Sequence, residues 1–238
     1  MDSGFPIVAV IGGTGAEGSA IALRLGHAGC RVVIGTRNLS NGERVAEELN
    51  GVLGKATVSF AENVKAAAAA EIVILTVPYN AQRSTVEEIR GALENKILID
   101  ATVPLMPPKV GNVQLPQGGS AVAAIQEGLG EKVRVVSAFQ NVAAHKLREL
   151  GKDVECDVLV CANDANARQT ALDLITKMGL RGIDAGPICN SAAAEALTSV
   201  LIFLNRKYKV SGSGIRLTGL ERAGDTVSSQ LGMPQTRI

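Results

Sequence analysis

Residues 5–37 constrain this 238-residue chain more than any other stretch. Two β-branched runs, at 6–11 and 31–36, flank an Ala-, Leu- and Gly-rich helical stretch at about 15–28. The link between the first run and the helix reads Ile11-Gly12-Gly13-Thr14-Gly15-Ala16-Glu17-Gly18, with Gly13, Gly15 and Gly18 in the G-x-G-x-x-G register. In such a unit the first glycine permits a tight turn and the second lets the backbone approach a pyrophosphate. The third lets helix and strand pack closely, and the helix N-terminus supplies oriented N–H donors. The motif alone is weak, but both strands and the helix it needs are present. A dinucleotide is therefore expected against Gly13, Thr14, Gly15, Ala16 and Glu17.

The end of the second run selects between cofactors. NAD-binding units usually place an Asp or Glu there for the ribose hydroxyls, whereas this chain reads Gly35-Thr36-Arg37-Asn38. A hydroxyl and a guanidinium suit a 2′-phosphate, and the guanidinium can also lie against adenine. NADP is thus expected, bound by Thr36 and Arg37 with Arg44 reaching the same phosphate.

Beyond residue 37 the alternation continues. Helix at 41–50, strand at 55–60, helix at 61–70, strand at 72–77, helix at 81–93, strand at 96–100, helix at 120–129 and strand at 132–137 complete roughly six parallel strands. Aromatic residues make up only 3% of the chain, so its apolar content is mostly aliphatic, as in buried parallel strands covered by Ala-rich helices. The fold expected is α/β, a Rossmann-type doubly wound parallel sheet with a small C-terminal α/β extension. We read 1–137 as an NADP-binding domain, 138–222 as a small C-terminal domain or a continuation of the sheet edge, with helices at 138–150, 163–178 and 188–208 and short strands near 158–161 and 182–184, and 223–238 as a flexible tail.

In open α/β sheets ligands lie outside the carboxyl ends of the strands. That rule points to Val77 and Pro78 after the fourth strand as flanks of the nicotinamide, and to residues 100–105 and 137–142 as walls for a second substrate.

The formal charge of +1 offers no broad attraction for nucleic acid or an anionic membrane, so small molecules are the expected partners. The apolar runs at 72–78 and 192–204 fall short of the roughly 18–20 residues of a membrane span, and the second contains Glu195. The N-terminal residues lack the pattern of a secretory signal, which suggests a cytoplasmic protein. Cys30, Cys156, Cys161 and Cys189 lack zinc-ligand spacing and read as buried thiols. His27 and His145 stand outside any recognisable catalytic constellation, and no metal site is expected. Hydride transfer between two bound cofactors needs little beyond their alignment.

The chain resembles the F420-dependent NADP oxidoreductases. The resemblance runs from Val8 to about Leu220, through Gly13-Thr14-Gly15, Gly35-Thr36-Arg37, Val77-Pro78-Tyr79 and Ser137-Ala138-Phe139. Its most specific carriers are the block from Asp184 to Ser191 and the following Glu195-Ala196-Leu197-Thr198. It implies hydride transfer between NADP(H) and the deazaflavin coenzyme F420, stacked face to face. Gln140, Val142 and Ser213-Gly214-Ile215 then fall on the deazaflavin side, where archaeal members carry His in place of Gln140 and Pro in place of Ala143. An apolar stripe along 192–204 fits core packing or a homodimer interface. Two alternatives stay open: an NADPH-dependent reductase of a small carbonyl, imine or flavin-like substrate, and a non-enzymatic NADP-binding redox sensor.

Overall fold

The computed structural model describes residues 6–220. Five strands alternate with helices in the first half: β1 (Ile7–Ile11), α1 (Ala16–His27), β2 (Arg31–Thr36), α2 (Leu39–Leu53), β3 (Val58–Glu62), α3 (Asn63–Ala69), β4 (Ile72–Leu75), α4 (Tyr79–Ile89) and β5 (Ile97–Asp100). A long connection rich in Pro and Gly then leads to α5 (Ala121–Leu129), β6 (Arg134–Ser137), α6 (Ala144–Arg148), β7 (Asp157–Ala162), α7 (Ala165–Lys177), β8 (Arg181–Asp184) and α8 (Ser191–Tyr208).

The strands form one eight-stranded sheet in the order β3-β2-β1-β4-β5-β6-β7-β8. The first six run parallel, β7 pairs antiparallel with β6, and β8 is parallel to β7. The six parallel strands and the Rossmann-type winding match the expectation. The residues after 138 add two strands to the same sheet edge, and one core runs from Val8 and Ile34 to Val158 and Ile175. The proposed tail at 223–238 lies outside the described residues.

Side-chain alternation along the strands divides the core. Val8, Val10, Ile72, Ile74, Ile97 and Ile99 face α1, α2, α6 and α7, whereas Ala9, Ile11, Val73, Leu75 and Leu98 face α3, α4 and α5. Burial on both faces explains why these strands are uninterrupted aliphatic runs.

One element departs clearly from the sequence reading. The helix expected at 138–150 shrinks to α6, because Ala138–Ala143 crosses the sheet edge as irregular chain with Phe139 buried at φ 78°. Long-range bonds fix this segment: Gln140 Nε2 donates to Asp100 O at 2.7 Å and Asn141 Nδ2 to Asp157 O at 2.6 Å. The third strand also begins later than read, because Asn50 Oδ1 at the end of α2 takes the N–H groups of Thr57 and Val58 at the strand's entrance.

Arg24 clamps α1 to the later half of the chain. It is 4% exposed, and its guanidinium donates to the carbonyls of Leu147, Met178, Lys146 and Glu149 at the ends of α6 and α7. Those carbonyls carry the negative end of the helix dipoles and, together with the charges of Asp153 and Glu149, compensate the buried cation.

Ile188–Tyr208 forms a continuous helical stretch of 21 residues, the span read from the sequence, and as a whole meets the length and hydropathy of a membrane span that its apolar run at 192–204 alone does not. Within this fold it packs on α5 and β7 and buries Glu195 to 1% exposure. Cys30, Cys156 and Cys161 are buried as read, but Cys189 is exposed at the helix entrance.

Candidate functional site

The carboxyl ends of β1, β2, β4, β5 and β6 lie along one edge, and the residues singled out from sequence gather there. At the centre is the glycine turn. Gly12 adopts φ 79° and donates its N–H to Gly35 O at 3.2 Å, while Gly15 N returns to Gly12 O at 2.9 Å. A Cβ on Gly18 would lie 2.5 Å from Thr76 Oγ1, 2.6 Å from Gly12 O and 2.7 Å from Gly13 Cα, so this glycine sets the approach of α1 to β1 and β4. A Cβ on Gly15 would meet only Gly12 O, at 3.3 Å. Its outer side is open, as a backbone that receives a pyrophosphate requires. The N-cap of α1 is Gly15 with no side-chain hydrogen bond, so the helix's first N–H groups have no competing side-chain acceptor. The turn therefore fits a dinucleotide.

At the end of β2, Thr36 and Arg37 have different situations. Thr36 is buried, and its Oγ1 donates to Asn38 O at 3.2 Å and accepts from Asn38 N at 3.1 Å. Asn38 in turn caps α2 by accepting from Asn41 N at 3.0 Å. The hydroxyl thus braces the turn. Arg37 is exposed and makes no hydrogen bond or ion pair among the described residues, leaving its five donors available. Arg44 is engaged within α2, with Asn41 Oδ1 at 2.9 Å and Glu48 Oε2 at 3.4 Å.

After β4, Thr76 Oγ1 donates to Ile11 O at 2.9 Å, and Val77 Cγ1 lies 3.0 Å from where a Gly12 Cβ would stand. Val77 is thereby fixed beside the glycine turn. Pro78 is the N-cap of α4 and ends the strand.

The ends of β5 and β6 hold a buried polar cluster. Asp100 is fully enclosed; Oδ2 accepts from Gln82 Nε2 at 2.6 Å and Oδ1 from Thr102 N at 2.8 Å. Burial pushes its carboxyl up from the usual Asp range, against the opposing pull of the Thr102 and Gln82 bonds. Gln140 is 4% exposed, its carbonyl accepts from Thr198 Oγ1 at 2.6 Å, and its Oε1 is buried with no partner. Ser137 Oγ is likewise buried and unpartnered, and Val142 is buried beside them. Orphaned buried polar atoms are rare in folded proteins and mark places where another group completes the hydrogen bonding. Ser213-Gly214-Ile215 runs past Cys156, with Ile215 O accepting from Asp157 N at 2.7 Å.

Two carboxylates have surroundings that the sequence did not disclose: Glu195, which had no assigned role, and Glu17, which was expected only as a contact of the dinucleotide. Glu195 projects from α8 into the N-terminus of α5 and accepts from Ser120 Oγ at 2.6 Å, Ala121 N at 2.8 Å and Val122 N at 3.2 Å. Burial raises its carboxyl above the usual range despite these bonds. The cap brings together residues 75 positions apart, and no local pattern announces it. Glu17 is in the first turn of α1; its Oε1 is buried without a partner, and burial pushes its carboxyl up to about 8. The signal for Glu17 was available: a carboxylate inside an otherwise apolar helix start.

No group of three or more His, Cys, Asp or Glu able to hold a metal occurs among the described residues. With this geometry in place, the comparisons with known proteins are specific. Residues 7–104 match the family model described as NADP oxidoreductase coenzyme F420-dependent. An F420-dependent NADP reductase of Methanocaldococcus jannaschii is 38% identical over 222 residues, covering 90% of this chain and 99% of the relative. The chain belongs to the F420-dependent NADP oxidoreductase family. A second F420-dependent NADP reductase, from Methanothermobacter thermautotrophicus, is 38% identical over 90% of this chain and 95% of its own. A crystal structure from Arthrobacter sp. FB24, described as a candidate F420-dependent NADP reductase, superposes with a TM-score of 0.76 at 25% identity, covering 89% of this chain and 99% of that one. The coverage includes β7, β8 and α8, so the family likeness extends over the C-terminal additions to the sheet.

Proposed function

We propose that this protein transfers a hydride between NADP(H) and the deazaflavin coenzyme F420. The single observation that carries the reading is the family membership over nine-tenths of the chain, which coincides with an open glycine turn and an Arg37 without a partner among the described residues on the same sheet edge. When bound, the nicotinamide supplies or receives the hydride and the deazaflavin is its counterpart.

The chain's own residues do the positioning. Gly13, Thr14, Gly15 and Ala16 present backbone to the pyrophosphate at the start of α1. Arg37 pairs with the 2′-phosphate, and Thr36 holds the turn that aims it. Arg44 reaches that phosphate only by giving up Glu48, so its contribution is smaller. Val77 and Pro78 flank the nicotinamide and exclude water from one side. Gln140 and Val142 form the wall toward the deazaflavin, with Gln140 Oε1 and Ser137 Oγ free to receive hydrogen bonds from its polar ring edge. Residues 1–137 bind NADP, and 138–222 complete the second substrate's side.

We further infer a homodimer working in the cytoplasm. Support for the dimer comes from Val200 and Phe203 on α8, 41% and 51% exposed; Phe203 lies against Gly111 of the long connection, which itself exposes Met106 and Val113. Small molecules, and neither nucleic acid nor membrane, are the partners this reading requires.

The direct test is spectroscopic. Mixing the protein with NADPH and oxidised coenzyme F420 should bleach the visible absorbance of the deazaflavin. NADPH binding without bleaching would refute the reaction while leaving the NADP site standing.

A further inference from the structure

Glu17 is a carboxylate where a dinucleotide site has little use for one. It occupies the first turn of α1, the same turn that is to face a pyrophosphate, and an ionised carboxylate there would repel the phosphates. Its neighbour Gly18 abuts Thr76, and Thr76 precedes Val77, one of the two residues assigned to the flank of the nicotinamide; Glu17 itself is half-buried. Helical spacing puts Glu17 on the same face as Arg24, seven residues and two turns away. Arg24 marks that face as the one packed on α6, so Glu17 lies toward the carboxyl edge, where the segment 138–143 enters α6. There its Oε1 is buried and has no hydrogen-bond partner.

We propose that Glu17 is a proton-carrying residue of the crevice whose ionisation follows the charge of the nicotinamide: protonated beside neutral NADPH, ionised beside cationic NADP+. The inference rests on the proposed function and names a role for one of its cofactor-binding residues.

The charged surroundings favour this assignment. From α6, Arg148 is committed to Ser19 Oγ at 2.9 Å and to Glu48 Oε1 of α2 at 2.7 Å. His145 and Lys146 are the other titratable groups of α6. On α1 itself Arg24 is held by four carbonyls, and on α2 Arg44 is bonded to Asn41 and Glu48. The facing strand β1 has no titratable residue, and Arg31 of β2 lies at the opposite end of the sheet. Burial alone holds the Glu17 carboxyl up to about 8, with no charged neighbour contributing. The pyrophosphate arrives with either form and acts alike on this carboxyl, so the positive charge of the oxidised nicotinamide is what distinguishes the two complexes, and it lowers the proton affinity.

The chemistry balances. When NADPH reduces the deazaflavin, two electrons and a hydrogen leave the dihydronicotinamide, the ring becomes cationic, and the reduced deazaflavin takes up one proton. Glu17 releases one proton at the same moment and its carboxylate faces the new cation. In the reverse direction it recovers that proton.

The test reads binding, not turnover. Titrating the protein with NADP+ or NADPH in buffers of different ionisation enthalpy gives the protons exchanged per site. The 2′-phosphate also titrates, near pH 6, but it is common to both forms and cancels in the difference. Near pH 6.5 the wild type should release up to one proton more with NADP+ than with NADPH, and the difference should shrink toward about half a proton as the pH approaches 8. Its affinity for NADP+ relative to NADPH should rise toward tenfold per pH unit. Glu17→Gln should bind both with a pH-independent ratio and no proton difference, and Glu17→Leu should behave alike if the amide perturbs folding. An equal proton count for both forms in the wild type, or a persistent difference in Glu17→Gln, would overturn the proposal while leaving the NADP site intact. Failure of both forms to bind would instead overturn the proposed function, and this inference with it.

Discussion

Replacing Arg37 with Ala isolates the choice between NADP and NAD. In the free protein the guanidinium is exposed and has no partner among the described residues, so its removal costs the fold almost nothing. The melting temperature should stay within about 2 °C of wild type, since surface substitutions of this kind fall within roughly 0.5 kcal/mol. Against a 2′-phosphate the same side chain forms charge-assisted hydrogen bonds worth about 1.5–3 kcal/mol. Solvent exposure places it toward the lower part of that range, and about 2 kcal/mol corresponds to roughly a 30-fold weaker NADPH complex. NADH lacks the phosphate, so its affinity should fall by no more than about threefold, the share left for stacking on adenine. Arg44→Ala is the internal comparison: Arg44 must give up Glu48 and Asn41 to reach the phosphate, and its loss should weaken NADPH by less than about fivefold. Calorimetric or fluorescence titration of the three proteins with both dinucleotides decides the matter. Equal losses for NADPH and NADH in Arg37→Ala would refute the phosphate assignment.

Other expectations separate folding from binding. Gly15→Ala should fold normally, because its Cβ meets only Gly12 O at 3.3 Å, yet weaken NADPH at least tenfold by blocking the pyrophosphate; unchanged affinity by titration would contradict the site. Gly18→Ala should destabilise the protein by about 1–3 kcal/mol in urea unfolding, since its Cβ has to displace backbone at 2.6 and 2.7 Å; a wild-type midpoint would contradict the packing described. Glu195→Ala leaves the Ser120 N-cap of α5 in place but takes the acceptor from the buried N–H groups of Ala121 and Val122, for a loss of about 2–3 kcal/mol by the same measurement. Asp100, Glu195 and Glu17 all have carboxyls raised on folding, so their contribution to stability is complete below the unfolded-state values near 4–4.5 and declines as pH rises through the raised ones. For Glu17 that window extends to about 8, and Glu17→Gln should flatten the stability profile between pH 5 and 8.

Much of this architecture is legible locally. A parallel strand buried on both faces needs an aliphatic run, and a helix between two such strands needs apolar spacing near 3.6, so residues 7–100 announce β1 to β5 in one dimension. The glycine register and Arg37 are legible for a similar reason: a pyrophosphate needs bare backbone, and a 2′-phosphate needs a cation at one fixed position after β2. The resemblance from Val8 to Leu220 identified the family on the strength of residues that no general rule would single out, such as the block from Asp184 to Ser191.

Tertiary structure decided the rest, because it depends on groups far apart in the chain. The segment 138–143 has helical composition, but bonds from Gln140 to Asp100 and from Asn141 to Asp157 hold it irregular. Glu195 reads as a polar interruption of an apolar helix until α5 is placed beneath it, 75 residues earlier. Thr36 reads as a phosphate ligand, and the fold adds that its hydroxyl braces Asn38, while Arg37 beside it has no partner among the described residues. Glu17 reads as one more residue of a glycine motif until the fold buries its Oε1 and supplies that atom no partner. The sequence by itself determined which backbone could form and where a dinucleotide could approach it, since propensity and bare glycine act at short range. Only the folded chain decided which polar groups lost water and which found partners, because desolvation and long-range hydrogen bonding exist only once distant segments meet.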